Sequence, residues 1–66
     1  MQITINGEAR EFNDRLTAQQ LIDELDLTGK RLAMEVNREI VPRSVYAQHR
    51  LKEGDQVEIV RAIGGG

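Results

Sequence analysis

The sequence contains no cysteine and a single histidine, His49. Disulfide cross-links, thiolate metal sites and internal thiol chemistry are thereby excluded, as is a clustered histidine site. There is one proline, and the only aromatic residues are Phe12 and Tyr46. Eleven acidic and nine basic side chains give a net charge of -2, and they are scattered along the chain. A nucleic-acid surface calls for a Lys/Arg stripe, often interleaved with stacking rings, and the sequence has neither. The chain opens on Met1-Gln2-Ile3-Thr4-Ile5, with no charged segment running into an apolar stretch. Neither a cleavable leader nor a spanning helix is expected, and the chain reads as cytoplasmic and soluble.

With 66 residues there is room for one domain. A chain of this size buries only about 60% of its unfolded surface, so its apolar core must be economical. Met1, Ile3 and Ile5 alternate with polar neighbours, the period of a half-buried strand. Asn6-Gly7 follows, two residues that both accept a positive φ, and predicts a hairpin with Glu8 to Phe12 as the returning strand. Thr17 starts a helix, with Gln20 at capping-box spacing and Ala18, Leu21, Ile22 and Leu25 on one apolar face. Gly29 ends that segment or the loop after it.

Alternation resumes at Leu32, Met34 and Val36, predicting a strand from Arg31 to Asn37. Asn37-Arg38 is a turn, Glu39 to Val41 a short strand stopped by Pro42, and Ser44 a candidate cap for one helical turn. Gly54-Asp55 is a second turn signal, and Gln56 to Ala62 is the last strand, with Val57 and Ile59 on one face and Glu58 and Val60 on the other. If that strand lies beside the first, the two run parallel with the helix packed across them. The fold class is then α+β, a β-grasp with a mixed sheet of four to five strands on one helix. Ile3, Ile5, Leu16, Leu21, Ile22, Leu25, Met34, Val36, Val57 and Ile59 are the expected core.

The domain is expected to span residues 1–63, with 64–66 as a flexible tail. Gly64, Gly65 and Gly66 have no Cβ, so the tail can be drawn out by at most about 10 Å and thread a slot too narrow for other residues. The terminal carboxylate is an accessible nucleophile toward the α-phosphate of a partner's ATP. By itself a glycine end also fits a frayed terminus. Val60 and Ile63, with Arg61 beside them, are candidates for a docking surface near the tail. His49 and the scattered carboxylates, Asp55 among them, read as solvated or turn residues. No nucleophile, base and oxyanion site assemble, so the chain is not expected to be an enzyme.

Over essentially its whole length the sequence resembles the sulfur-carrier family of thiamine biosynthesis, a ubiquitin-like β-grasp family. The resemblance is carried by the Met1-Gln2-Ile3 start, Asn6-Gly7, the Thr17 helix, Asn37-Arg38-Glu39-Ile40-Val41-Pro42-Arg43, and Gly54-Asp55-Gln56-Val57-Glu58-Ile59-Val60 with Ile63 and the glycine end. Residue 64, variable in the family, is here a third glycine. The resemblance implies that a ThiF-like adenylyltransferase adenylates the Gly66 carboxylate. Sulfur from cysteine, passed through a cysteine desulfurase, would turn it into a thiocarboxylate, which a ThiG-like thiazole synthase accepts. Gly64 and Gly65 would be the bare lead-in. No cofactor or metal would be bound, ATP being consumed by the partner, and the free chain would be a monomer. A molybdopterin-synthase small subunit, a ubiquitin-like protein modifier and an inert-tailed interaction module are the alternatives.

Overall fold

The computed structural model describes residues 1–61. Strands β1 (Gln2–Ile5) and β2 (Glu8–Glu11) form the expected antiparallel hairpin. Asn6 and Gly7 at its tip have φ of 49° and 86°, the two positive values that a tight two-residue turn matched to strand twist requires. Helix α1 (Ala18–Glu24) follows, then β3 (Leu32–Val36), β4 (Glu39–Val41), one 3-10 turn (Arg43–Val45) and β5 (Gln56–Arg61). The five strands make one sheet in the order β2-β1-β5-β3-β4. The last strand is therefore the central one. It runs parallel to β1, with Thr4 opposite Gln56 and Ile5 opposite Val57, and antiparallel to β3 from Val36–Val57 to Leu32–Arg61. This is the β-grasp topology expected from the order of elements.

The helix is short, so its ends matter. All four donors of its first turn are satisfied. Thr17 and Gln20 form a reciprocal capping box, each side chain serving the other's backbone N–H at 3.1 and 3.0 Å. The next two donors reach across the chain, Ala18 N–H to the His49 carbonyl at 2.8 Å and Gln19 N–H to the Tyr46 carbonyl at 3.0 Å. The irregular 43–51 segment thus completes the helix N-terminus, and Leu51 N–H to the Leu16 carbonyl ties the segment down at 2.9 Å.

At the other end the helix stops earlier than Gly29. Asp26 takes φ of 62°, and its N–H reaches the Asp23 carbonyl while Leu27 N–H reaches the Ile22 carbonyl. That pair of bonds is a Schellman closure with aspartate in the left-handed position. Leu25 consequently becomes the C-cap and is only partly buried, so it packs against the core rather than belonging to it. Ser44 does not cap. The 3-10 turn is entered from Pro42, at φ -63° and ψ 144°, without a side-chain cap, and Ser44 lies inside it.

The core under the sheet comprises Ile3, Ile5, Leu16, Ala18, Leu21, Ile22, Met34, Val36, Val41, Tyr46, Leu51, Val57 and Ile59. Nine of the ten expected core residues are in it, the exception being Leu25. Val41, Tyr46 and Leu51 join from a three-residue strand and an aperiodic loop, where no repeat marks an inward position. Burial pushes the Tyr46 phenol above its usual 10.0, with the Arg43 guanidinium pulling the other way.

The β3–β4 turn carries a cost. Asn37 and Arg38 have φ of 51° and 71°, and Arg38 has a Cβ where glycine is the natural residue. Arg38→Gly is expected to raise stability by about 1 kcal/mol, which for a domain of this size is a rise in Tm of about 4–8 °C in thermal unfolding.

Candidate functional site

The candidate site is organised around β5, because that strand leads into the tail. Its alternation is as expected. Val57 and Ile59 are buried, while Val60 points out from the other face and is 61% exposed. Val60 is paired with Ala33 of β3, and Arg61 with Leu32, so two of the three expected docking residues stand at the mouth of the β3–β5 ladder. Around Val60 lies an open depression of about 430 Å³ lined by Arg31, Leu32, Ala33 and Arg43. An apolar floor bordered by guanidinium groups suits a partner with an apolar contact and carboxylates at its rim. Gly64, Gly65, Gly66 and Ile63 lie outside the described residues, as does Ala62, the last residue of the expected strand.

A second exposed apolar side chain went unremarked in the sequence. Ile40 is 73% exposed and sits opposite Glu35, on the face away from Val41. The period-two reading of Glu39–Val41 contains that signal, since a buried Val41 turns Ile40 outward.

Two asparagines fix β5 in place. At its start, Asn37 accepts the Gln56 N–H on Oδ1 at 3.0 Å and donates from Nδ2 to Asp55 Oδ1 at 2.9 Å. Asp55 Oδ2 accepts the Lys52 N–H at 2.8 Å. Asp55 is the turn residue expected, its N–H reaching the Lys52 carbonyl at 3.0 Å, and it is buried, at 5% exposure, rather than solvated. Its role is to join the 52–55 turn to the β3–β4 turn. Farther along, where β1 has ended, Asn6 Oδ1 accepts the Ile59 N–H at 2.8 Å and Asn6 Nδ2 donates to the Ile59 carbonyl at 3.2 Å.

His49 is half-buried rather than fully solvated, its carbonyl committed to the helix N-terminus. Among the described residues no group of three His, Cys, Asp or Glu side chains is placed to hold a metal ion, and no helix is long and apolar enough to cross a membrane.

A mixed five-stranded sheet grasping one helix, with the central strand leading out beside an exposed valine, defines a domain of the ubiquitin-like β-grasp class. The family model that matches is that of the ThiS family, over residues 3–66, and the chain belongs to that family. It is 36% identical to the sulfur carrier protein ThiS of Escherichia coli, with both chains covered in full. It is 47% identical to a segment of a thiazole synthase from Paramagnetospirillum magneticum, of whose length it spans 20%. The crystal structure of the thiamine biosynthesis protein ThiS from Geobacter metallireducens superposes with a TM-score of 0.86 at 28% identity, over all of both chains.

Asp55→Ala is expected to remove the acceptors of Asn37 Nδ2 and the Lys52 N–H, part-buried donors on exposed residues, at a cost of about 0.5–1.5 kcal/mol per lost bond. The denaturant midpoint should fall accordingly, and Asp55→Asn, with one acceptor oxygen for two donors, should fall between it and the parent.

Proposed function

We propose that this chain is the sulfur carrier for formation of the thiazole moiety of thiamine, and that Gly66 is the residue that carries the sulfur. The Gly66 carboxylate attacks the α-phosphate of ATP held by a ThiF-like adenylyltransferase, releasing pyrophosphate and leaving a glycyl adenylate. The outer sulfur of a persulfide, made from cysteine by a desulfurase, then displaces AMP from the carboxyl carbon, one carboxylate oxygen departing with the phosphate. A thiol of the sulfur-transfer machinery reduces the acyl disulfide to free the thiocarboxylate, itself becoming a disulfide. The resulting thiocarboxylate presents to thiazole synthase a sulfur that is a better nucleophile than the oxygen it replaced. The chain is a substrate of both partners and the catalyst of neither step. It acts as a cytoplasmic monomer between encounters, and holds no cofactor.

The observation that carries this reading is the family match through residue 66, on a chain in whose sequence Gly64-Gly65-Gly66 come three residues after the end of the central strand at Arg61. A thiazole synthase that contains a similar segment in its own polypeptide supports the pairing of carrier with synthase. Residues 1–63 act as the domain and 64–66 as the arm, with Gly64 and Gly65 keeping the approach to Gly66 sterically bare.

Intact mass after incubation with ATP, the activating enzyme and a sulfur source tests the proposal. The expected change is one oxygen exchanged for sulfur, abolished when Gly66 is removed. An unchanged mass with an activating enzyme competent on its own carrier would reject it.

The docking reading for Val60, Arg61 and Ile63 belongs to the same proposal. Val60 is mostly exposed, so Val60→Glu should leave the melting temperature unaltered. Its charge, set against an apolar partner surface, should raise KM for the carrier about tenfold, equivalent to about 1.4 kcal/mol. Wild-type KM in that variant would remove Val60 from the interface.

A further inference from the structure

We propose that Asn6 is a positioning residue for the carboxyl-terminal arm, acting through its side-chain clamp on Ile59; this rests on the carrier reading above. The two sides of β5 are supported to different depths. On the β3 side, pairing continues to Arg61. On the β1 side, registered pairing stops at Ile5–Val57, because the chain turns away at Asn6-Gly7 to become β2. Beyond that point the edge of β5 would present an open N–H and C=O at Ile59.

The Asn6 side chain occupies that place. Its amide donates to the Ile59 carbonyl and accepts the Ile59 N–H, standing in for the two bonds that a continuation of β1 past Asn6 would have made. Together with the backbone bond from Asn6 N–H to the Val57 carbonyl, at 2.8 Å, it carries the parallel ladder two residues past the end of its strand. Only two residues of the described strand, Val60 and Arg61, follow Ile59. Among the described residues the clamp is therefore the last lateral support of β5 on that side.

The turn and the clamp are separable requirements on one residue. A φ of 49° is met by asparagine or glycine, whereas the clamp needs a side chain carrying both an acceptor and a donor. Aspartate keeps the acceptor for the Ile59 N–H and sets an oxygen against the Ile59 carbonyl. The consequence for function is geometric. Five residues follow Arg61 to the reactive carboxylate, and a misplacement of about 1 Å at a reacting centre is enough to cost about a hundredfold in rate. A looser departure of β5 would leave the docking face intact and spread the positions at which the carboxylate is delivered.

The test compares wild-type chain, Asn6→Gly and Asn6→Asp with a ThiF-class adenylyltransferase by ATP–pyrophosphate exchange, alongside amide hydrogen exchange at Ile59. In Asn6→Gly the Ile59 amide should exchange about tenfold faster. Its kcat should fall about fivefold or more while KM for the carrier stays within about twofold, since docking is untouched. Asn6→Asp should lie between, and it decides the matter alone if the glycine variant does not fold. Wild-type kcat with raised Ile59 exchange would overturn the proposal by reducing Asn6 to a purely structural residue. A raised KM with unchanged kcat would overturn it by making Asn6 a docking contact. No exchange with the wild-type chain would reject the carrier reading itself, and the positioning role with it.

Discussion

The parallel pairing of β5 against β1 is the constraint on which the rest of the molecule depends. It joins the two ends of the chain in the middle of the sheet, and it is thin. Only Thr4–Gln56 and Ile5–Val57 are in register. Bonds from Thr4 N–H to the Asp55 carbonyl and from Asn6 N–H to the Val57 carbonyl frame it at 3.0 and 2.8 Å. Parallel strands cannot be joined by a tight turn, so everything between them serves as the crossover. The helix covers the sheet, and β3 and β4 extend it on the far side. With so few ladder bonds at the seam, side chains supply the remainder: Asn6 at one end, the Asn37–Asp55 pair at the other.

The same economy explains the 43–51 segment. A seven-residue helix is too short to be stable by propensity and depends on its termini and its packed face. The segment provides both, lending the Tyr46 and His49 carbonyls to the first turn and the Tyr46 and Leu51 side chains to the core. A loop that looks like filler by composition is therefore a wall of the domain.

What could be read from the sequence follows from which forces leave a local mark. The Asn6-Gly7 hairpin, the Thr17–Gln20 box and the alternation in β1, β3 and β5 are determined by residues within a few positions of one another, and all were legible. The β-grasp topology followed from their order. Asp55 was legible as a turn residue but not as a buried one, since the Asn37 side chain it accepts from lies eighteen positions away. Tyr46 and Leu51 had no periodicity to announce them. Of the two places offered for Gly29, it takes the loop after the helix, at φ 82°, because Asp26 already holds the left-handed position that closes the helix. Val60 was identified as an outward residue by alternation alone, whereas Arg31 and Arg43 beside it come from the approach to β3 and from the 3-10 turn after β4, which only the fold brings together.

In the proposed carrier the reacting group is a main-chain carboxylate, so the fold has no side-chain nucleophile to activate. It has a face to offer and an arm to aim. Those tasks pull against each other in the final strand. Its inward residues must anchor the core, its outward residues must stay exposed for a partner, and its end must release into glycine. A central strand meets the first two demands because both its edges are paired and only its faces vary. The third requires that pairing on one side stop before the strand does, which leaves an open edge where the arm begins. An asparagine already required by the hairpin turn is the residue best placed to close that edge, since the conformation that turns β1 away also points its amide back toward Ile59.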